Sequence, residues 1–109
     1  MRVLFRKRRV EVNPEAARAR WLEQLEIELA ILWMCDNRHE LLDTVYAASS
    51  EAAAKEELRR NSPLTELQVD VCLAAQFRRF TLDERTRAAE RVGALRDNLE
   101  ASHPENPGK

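Results

Sequence analysis

Residues 13–36 read NPEAARARWLEQLEIELAILWMCD, and this stretch decides the fold. Asn13 is a natural N-cap, Pro14 fits the first helical position, and Glu15 lies in the turn where the helix dipole is positive. From there Trp21, Leu22, Leu25, Leu29 and Leu32 recur at steps of three and four. Leu22, Leu25, Leu29 and Leu32 form a seam of coiled-coil spacing, with Glu23, Glu26 and Glu28 assigned to the other surface. From Leu29 to Cys35 the sequence LAILWMC is apolar all round. Such a change predicts a helix that leaves a two-helix stem and enters a globular head.

Downstream, HELLDTVYAA (39–48) places Leu41, Leu42, Val45 and Tyr46 on one face of a short helix. Ser49-Ser50 caps a third helix that ends near Asn61, and Ser62-Pro63 breaks it. Thr65 and Gln68 have capping-box spacing, and Leu64 with Val69 fits a hydrophobic staple. That helix is expected to run to about Arg79 with Val69, Cys72, Leu73 and Phe77 inward. Thr81 and Glu84 repeat the capping-box spacing and open a last helix, 82–101, with Ala88, Val92, Leu95 and Leu99 on one stripe. Gly93 weakens it by about 1 kcal/mol relative to alanine.

The expected fold is therefore all-α: an antiparallel two-helix coiled-coil stem with a small globular head of short helices. Each long helix would span about 30 Å. The divisions are a basic N-terminal arm (1–12), a stem-and-head domain (13–101) and a disordered tail (102–109). Both ends lie at the stem base, as in a protrusion of a larger protein. Met1 and the polar tail favour a complete gene.

Composition agrees. The 109 residues contain two glycines and four prolines, too few for β-sandwiches, barrels or Gly-loop nucleotide folds. Hydrophobic residues at 44% and charged residues at 34% suit one small core under a polar surface. No apolar run is long enough for a membrane span, and MRVLFRKRRV lacks a signal peptide's apolar stretch. A cytoplasmic protein is expected, with association with the nucleoid as an extension. At this length a binding or assembly module takes precedence over an enzyme.

The net charge of −1 conceals a basic arm, with Arg2, Arg6, Lys7, Arg8 and Arg9 on an otherwise acidic chain. The arm reads either as a solvated terminus or as a contact for phosphate or an acidic partner. Cys35 and Cys72 sit among apolar neighbours and read as buried reduced thiols. Asp36, His39, Glu40 and Asp43 share one helix face, with the outline of a zinc motif but no third strong ligand. A solvated, charge-paired face is the simpler reading. Cys35 with His39 as a nucleophile pair lacks an orienting group. Arg78, Arg79, Arg85 and Arg87 suit helix-end pairing with Asp83, Glu84 and Glu90 better than a nucleic-acid patch. Tyr46 reads as core or interface, and the tryptophans as packing residues. No catalytic, cofactor-binding or metal-binding residue is assigned.

Two segments resemble a known family. LTELQVDVCLAAQFRRFTLDER, from Leu64, is similar to a motif of the A subunit of DNA gyrase and of topoisomerase IV. Leu64, Thr65, Glu66, Gln68, Leu73, Thr81 and Leu82 match by identity, and Phe77 and Phe80 stand where the family has leucine. CDNRHELLDTVYAASSEAAAKEEL, from Cys35, is similar to the family's preceding segment at Asp36, Asn37, Glu40, Leu41, Leu42, Val45, Ala54, Lys55 and Leu58. The resemblance covers about residues 19–100. It departs at Val69, Val71 and Cys72, at Ala75-Gln76, and in lacking a glycine after Thr81.

The resemblance implies the exit gate, or C-gate, of a type IIA topoisomerase: a coiled-coil stem whose head pairs with a second head. It implies a homodimer, or a partnership with a gyrase or topoisomerase IV A subunit. Leu41, Leu42, Val45, Tyr46, Val69, Leu73, Phe77 and Phe80 are the candidates for head core and dimer contact. Nothing in the chain corresponds to the family's DNA-cleaving tyrosine, metal-binding or ATPase modules. The alternative from another class is a small helical DNA-binding protein that uses Arg6, Lys7, Arg8 and Arg9.

Overall fold

The computed structural model describes residues 13–102, which form helices and no strand. The helices are α1 (Pro14–Asp36), α2 (Arg38–Ala47), α3 (Glu51–Asn61), α4 (Glu66–Ala74), a 3-10 turn (Phe77–Phe80) and α5 (Leu82–Ala101). Residues 1–12 and 103–109, which include the basic arm and most of the expected tail, lie outside the described residues.

Local hydrogen bonds set the helix starts. Asn13 Oδ1 accepts from the Glu15 and Ala16 amides at 2.8 and 3.2 Å. Ser50 Oγ accepts from Ala53 N, and Thr81 Oγ1 from Glu84 N. At Thr65 the capping box is complete: its hydroxyl accepts from Gln68 N, and Gln68 Oε1 accepts from Thr65 N. Leu64 and Val69 are buried in one cluster, as a staple requires. The Thr65 hydroxyl also donates to Glu26 on α1, and Gln68 Nε2 donates to the Glu26 carbonyl. The same cap thus starts α4 and fixes it to α1. Thr65→Ala should lower stability by about 1–2 kcal/mol in urea unfolding followed by circular dichroism. No measurable loss would mean that the cap is replaced by water at no cost.

α1 is the central element. α5 runs beside it in the opposite direction: Arg18 donates to the Leu99 carbonyl, and Arg91 meets Glu28. α4 runs along another side, where Cys72 Sγ lies 3.6 Å from the Ala30 carbonyl. α3 packs on α4, with Lys55–Asp70 and Arg59–Glu66 pairs across the surface. These pairs are exposed and contribute little. The core gathers Ala30, Ile31, Met34, Cys35, Leu41, Leu58, Leu64, Val69, Cys72 and Ala88.

Three expectations are corrected. α4 stops at Ala74 rather than near Arg79, because Ala75 and Gln76 are extended, with ψ of 149° and 152°. Phe77 then begins a 3-10 turn and points outward instead of inward. Secondly, the bonds between α1 and α5 are made by Arg18 and Glu28, while of the leucine seam Leu22 is exposed and Leu25, Leu29 and Leu32 are half-buried. Thirdly, Glu28 is buried at 4% exposure, not on the surface. The arginines behave as expected in part: Arg79 pairs with Glu84 and Arg87 with Asp83, whereas Arg85 donates to the Phe80 carbonyl.

Candidate functional site

Asn37 alone separates α1 from α2. Its amide and its side-chain Nδ2 both donate to the Trp33 carbonyl, and its own carbonyl receives the Leu41 amide. This tight corner sends α2 away from α1. Leu41 turns into the core, and the rest of the apolar face of α2 turns out. Leu42 is 59% exposed and Tyr46 89%. The 3-10 turn faces the same region and presents Phe77 at 80% exposure. The Phe77 and Phe80 rings lie 6.2 Å apart at 51°, a tilted aromatic pair.

Between these elements lies an open apolar groove of about 420 Å³. Met34, Leu41 and Cys72 form its floor, and Leu42, Val45, Leu73, Ala75, Phe77 and Phe80 its walls. Arg38 and His39 stand at the rim. Arg38 is held there by donating to the Cys35 carbonyl at the end of α1, at 2.9 Å.

The eight candidate head residues now divide. Leu41 and Val69 are core. Leu73 and Phe80 are half-buried in the groove wall. Leu42, Val45, Tyr46 and Phe77 are exposed. Sequence reasoning missed Met34 and Ala75 as groove residues. The all-round apolar run LAILWMC was the available signal for Met34; Ala75 had none. Arg6, Lys7, Arg8 and Arg9 lie outside the described residues.

The groove is lined mainly by apolar side chains. Cys72 reaches it, but burial, with the nearby Cys35 adding to the effect, pushes its thiol up to about 11. The Cys35 thiol is also raised, chiefly by burial; Asp36 adds to this while Arg85 and Arg38 oppose it. Both cysteines are buried and unpaired, and both thiols stay protonated at neutral pH. Cys35 Sγ donates to the Arg79 carbonyl rather than to His39. Asp36, His39, Glu40 and Asp43 are all exposed. Among the described residues, no three His, Cys, Asp or Glu side chains gather to hold a metal ion. No described helix is long and apolar enough to cross a membrane. No protein-family model and no curated protein matches the chain.

Proposed function

We propose that the chain is an assembly module that associates through the groove between α2 and the 3-10 turn. The observation that carries this reading is the grouping of Leu42, Val45 and Phe77, all exposed and all lining one apolar groove, with the exposed Tyr46 one helical turn beyond Leu42 on α2. Large apolar side chains scattered singly on a surface are ordinary, but a contiguous rimmed set marks a contact surface. Aromatic anchors such as Tyr46 and Phe77 supply much of the binding energy in such contacts.

The resemblance to gyrase and topoisomerase IV A subunits makes the reading more specific. In it, α1 and α5 are a short antiparallel coiled-coil stem, and α2, α3, α4 and the 3-10 turn are the head. The head pairs with a second copy, or with the equivalent head of an A subunit, and the chain assembles with or modulates a type IIA topoisomerase. Catalysis would belong to other chains. The exposed Leu42 and Val45 are among the positions that carry the resemblance.

Phe77→Asp tests the proposal. Phe77 is exposed, so the variant should fold with an unchanged helical spectrum and melting temperature. Light scattering behind size exclusion should show the mass of the assembly falling at least by half. A mass that is unchanged overturns the groove reading. So does an unaltered chain that is a strict monomer and does not bind an A subunit in a pull-down.

A further inference from the structure

Residues 21–33 read WLEQLEIELAILW, nearly the same in both directions about Ile27. Trp21 answers Trp33, Leu22 answers Leu32, Leu25 answers Leu29, and Glu26 answers Glu28. On a helix that turns roughly 100° per residue, the four leucines fall in a sector about 80° wide, with a tryptophan on each flank. Ile27 lies on the opposite side.

α5 covers the side of α1 that carries Glu28, and α4 covers the side that carries Glu26 and Ala30. The leucine sector lies between these two contacts, and among the described residues only α5, α4, α2 and the 3-10 turn pack against α1. Leu22 is 47% exposed, and Leu25 and Leu29 are half-buried. Leu32 and Trp33 rest partly on the core.

We infer that this stripe is a second homotypic surface, on which α1 of one copy pairs antiparallel with α1 of another about a two-fold axis at Ile27. A two-fold interface must be complementary to itself, and a stripe that reads alike in both directions meets that demand. Leu22 would face Leu32 of the second copy, and Leu25 would face Leu29. Charge selects the direction. Arg18 and Asp36 lie at equal distances from Ile27, in line with the stripe and at its two ends. Antiparallel pairing brings each near the other's opposite charge, whereas parallel pairing stacks Arg18 on Arg18 and Asp36 on Asp36. Among the described residues Asp36 is exposed and has no ion pair, and Arg18 bonds to the end of α5. None of the four leucines lines the groove, so the two surfaces are separate.

Sedimentation equilibrium on full-length chains carrying Phe77→Asp tests the stripe without the groove contact. These chains should form a dimer at about 100 µM. Adding Leu25→Glu should weaken it by about 100-fold, because the symmetry counts each change twice. Leu25 is half-buried, and circular dichroism should show the helix content retained. Leu29→Lys should weaken the dimer similarly. Mixing the Leu25→Glu and Leu29→Lys chains should recover a one-to-one dimer, since the introduced carboxylate of one chain then faces the introduced ammonium of the other. A parallel pairing would set each introduced charge opposite a leucine, so a mixture that stays far weaker than the parent dimer overturns the antiparallel direction. A monomer with Phe77→Asp alone overturns the stripe and leaves the groove reading intact. An assembly insensitive to Phe77→Asp but dissolved by Leu25→Glu does the reverse.

Discussion

Met34→Ala should lower the unfolding free energy by about 2–5 kcal/mol, the largest effect expected of any single substitution in this chain. Met34 has no exposed surface and is among the largest fully buried side chains. It sits near the end of α1, where the core cluster holds residues of α1, α2, α3, α4 and α5 together. Truncation removes its transfer free energy and leaves a cavity that the surrounding helices can only partly fill. Domains of this size hold about 5–15 kcal/mol in total, so the loss is a large share of it. Met34 is also the floor of the groove, so the same change should weaken assembly through the groove. Met34→Leu, which nearly conserves volume, should cost less than about 1.5 kcal/mol and keep both properties. Urea unfolding with the helical signal as readout separates the two variants. A loss below about 1 kcal/mol for Met34→Ala would mean that the cluster collapses onto the cavity, contrary to its packing.

The helix starts were legible because their information is local. Asn13, Ser50, Thr65 and Thr81 each bond an amide two or three residues away, and the sequence shows both partners side by side. The end of α4 was not legible. The apolar pattern of VDVCLAAQF continues through the break, and Ala75 and Gln76 become extended without a glycine or proline to announce it. The leucine seam misled for a different reason. Spacing identifies an apolar stripe, but not which neighbour covers it. α5 bonds α1 through Arg18 and Glu28, and the leucine seam supplies neither of those contacts. The candidate site was legible to the same degree: the face of α2 was visible as apolar, but the turn at Asn37 that points Leu42 and Tyr46 outward was not.

Arg91→Ala should cost about 1–3 kcal/mol, whereas Glu28→Leu should cost nothing or stabilise. The asymmetry follows from where each charge goes when its partner is removed. Glu28 is buried in the contact of α1 with α5, where Oε2 receives Gln24 Nε2 and lies 2.9 Å from Arg91 Nε. That N–H is not aimed at the carboxylate, and Oε1 has no hydrogen-bond partner, so Glu28 depends on the nearby positive charge more than on hydrogen bonds. Without Arg91 it is a buried carboxylate held by one amide. Arg91 is 39% exposed and can turn to water when Glu28 is gone. Leucine at position 28 would meanwhile add apolar surface to the contact of α1 with α5. The pair joins residues 63 positions apart at one register of α1 against α5, which is a reason for it to persist without adding stability. Thermal and urea unfolding of the two single variants and of Glu28→Leu combined with Arg91→Ala should show the double variant recovering most of the Arg91→Ala loss. Equal losses from the two single variants, or no recovery in the double, would mean that the pair stabilises the fold outright rather than selecting its register.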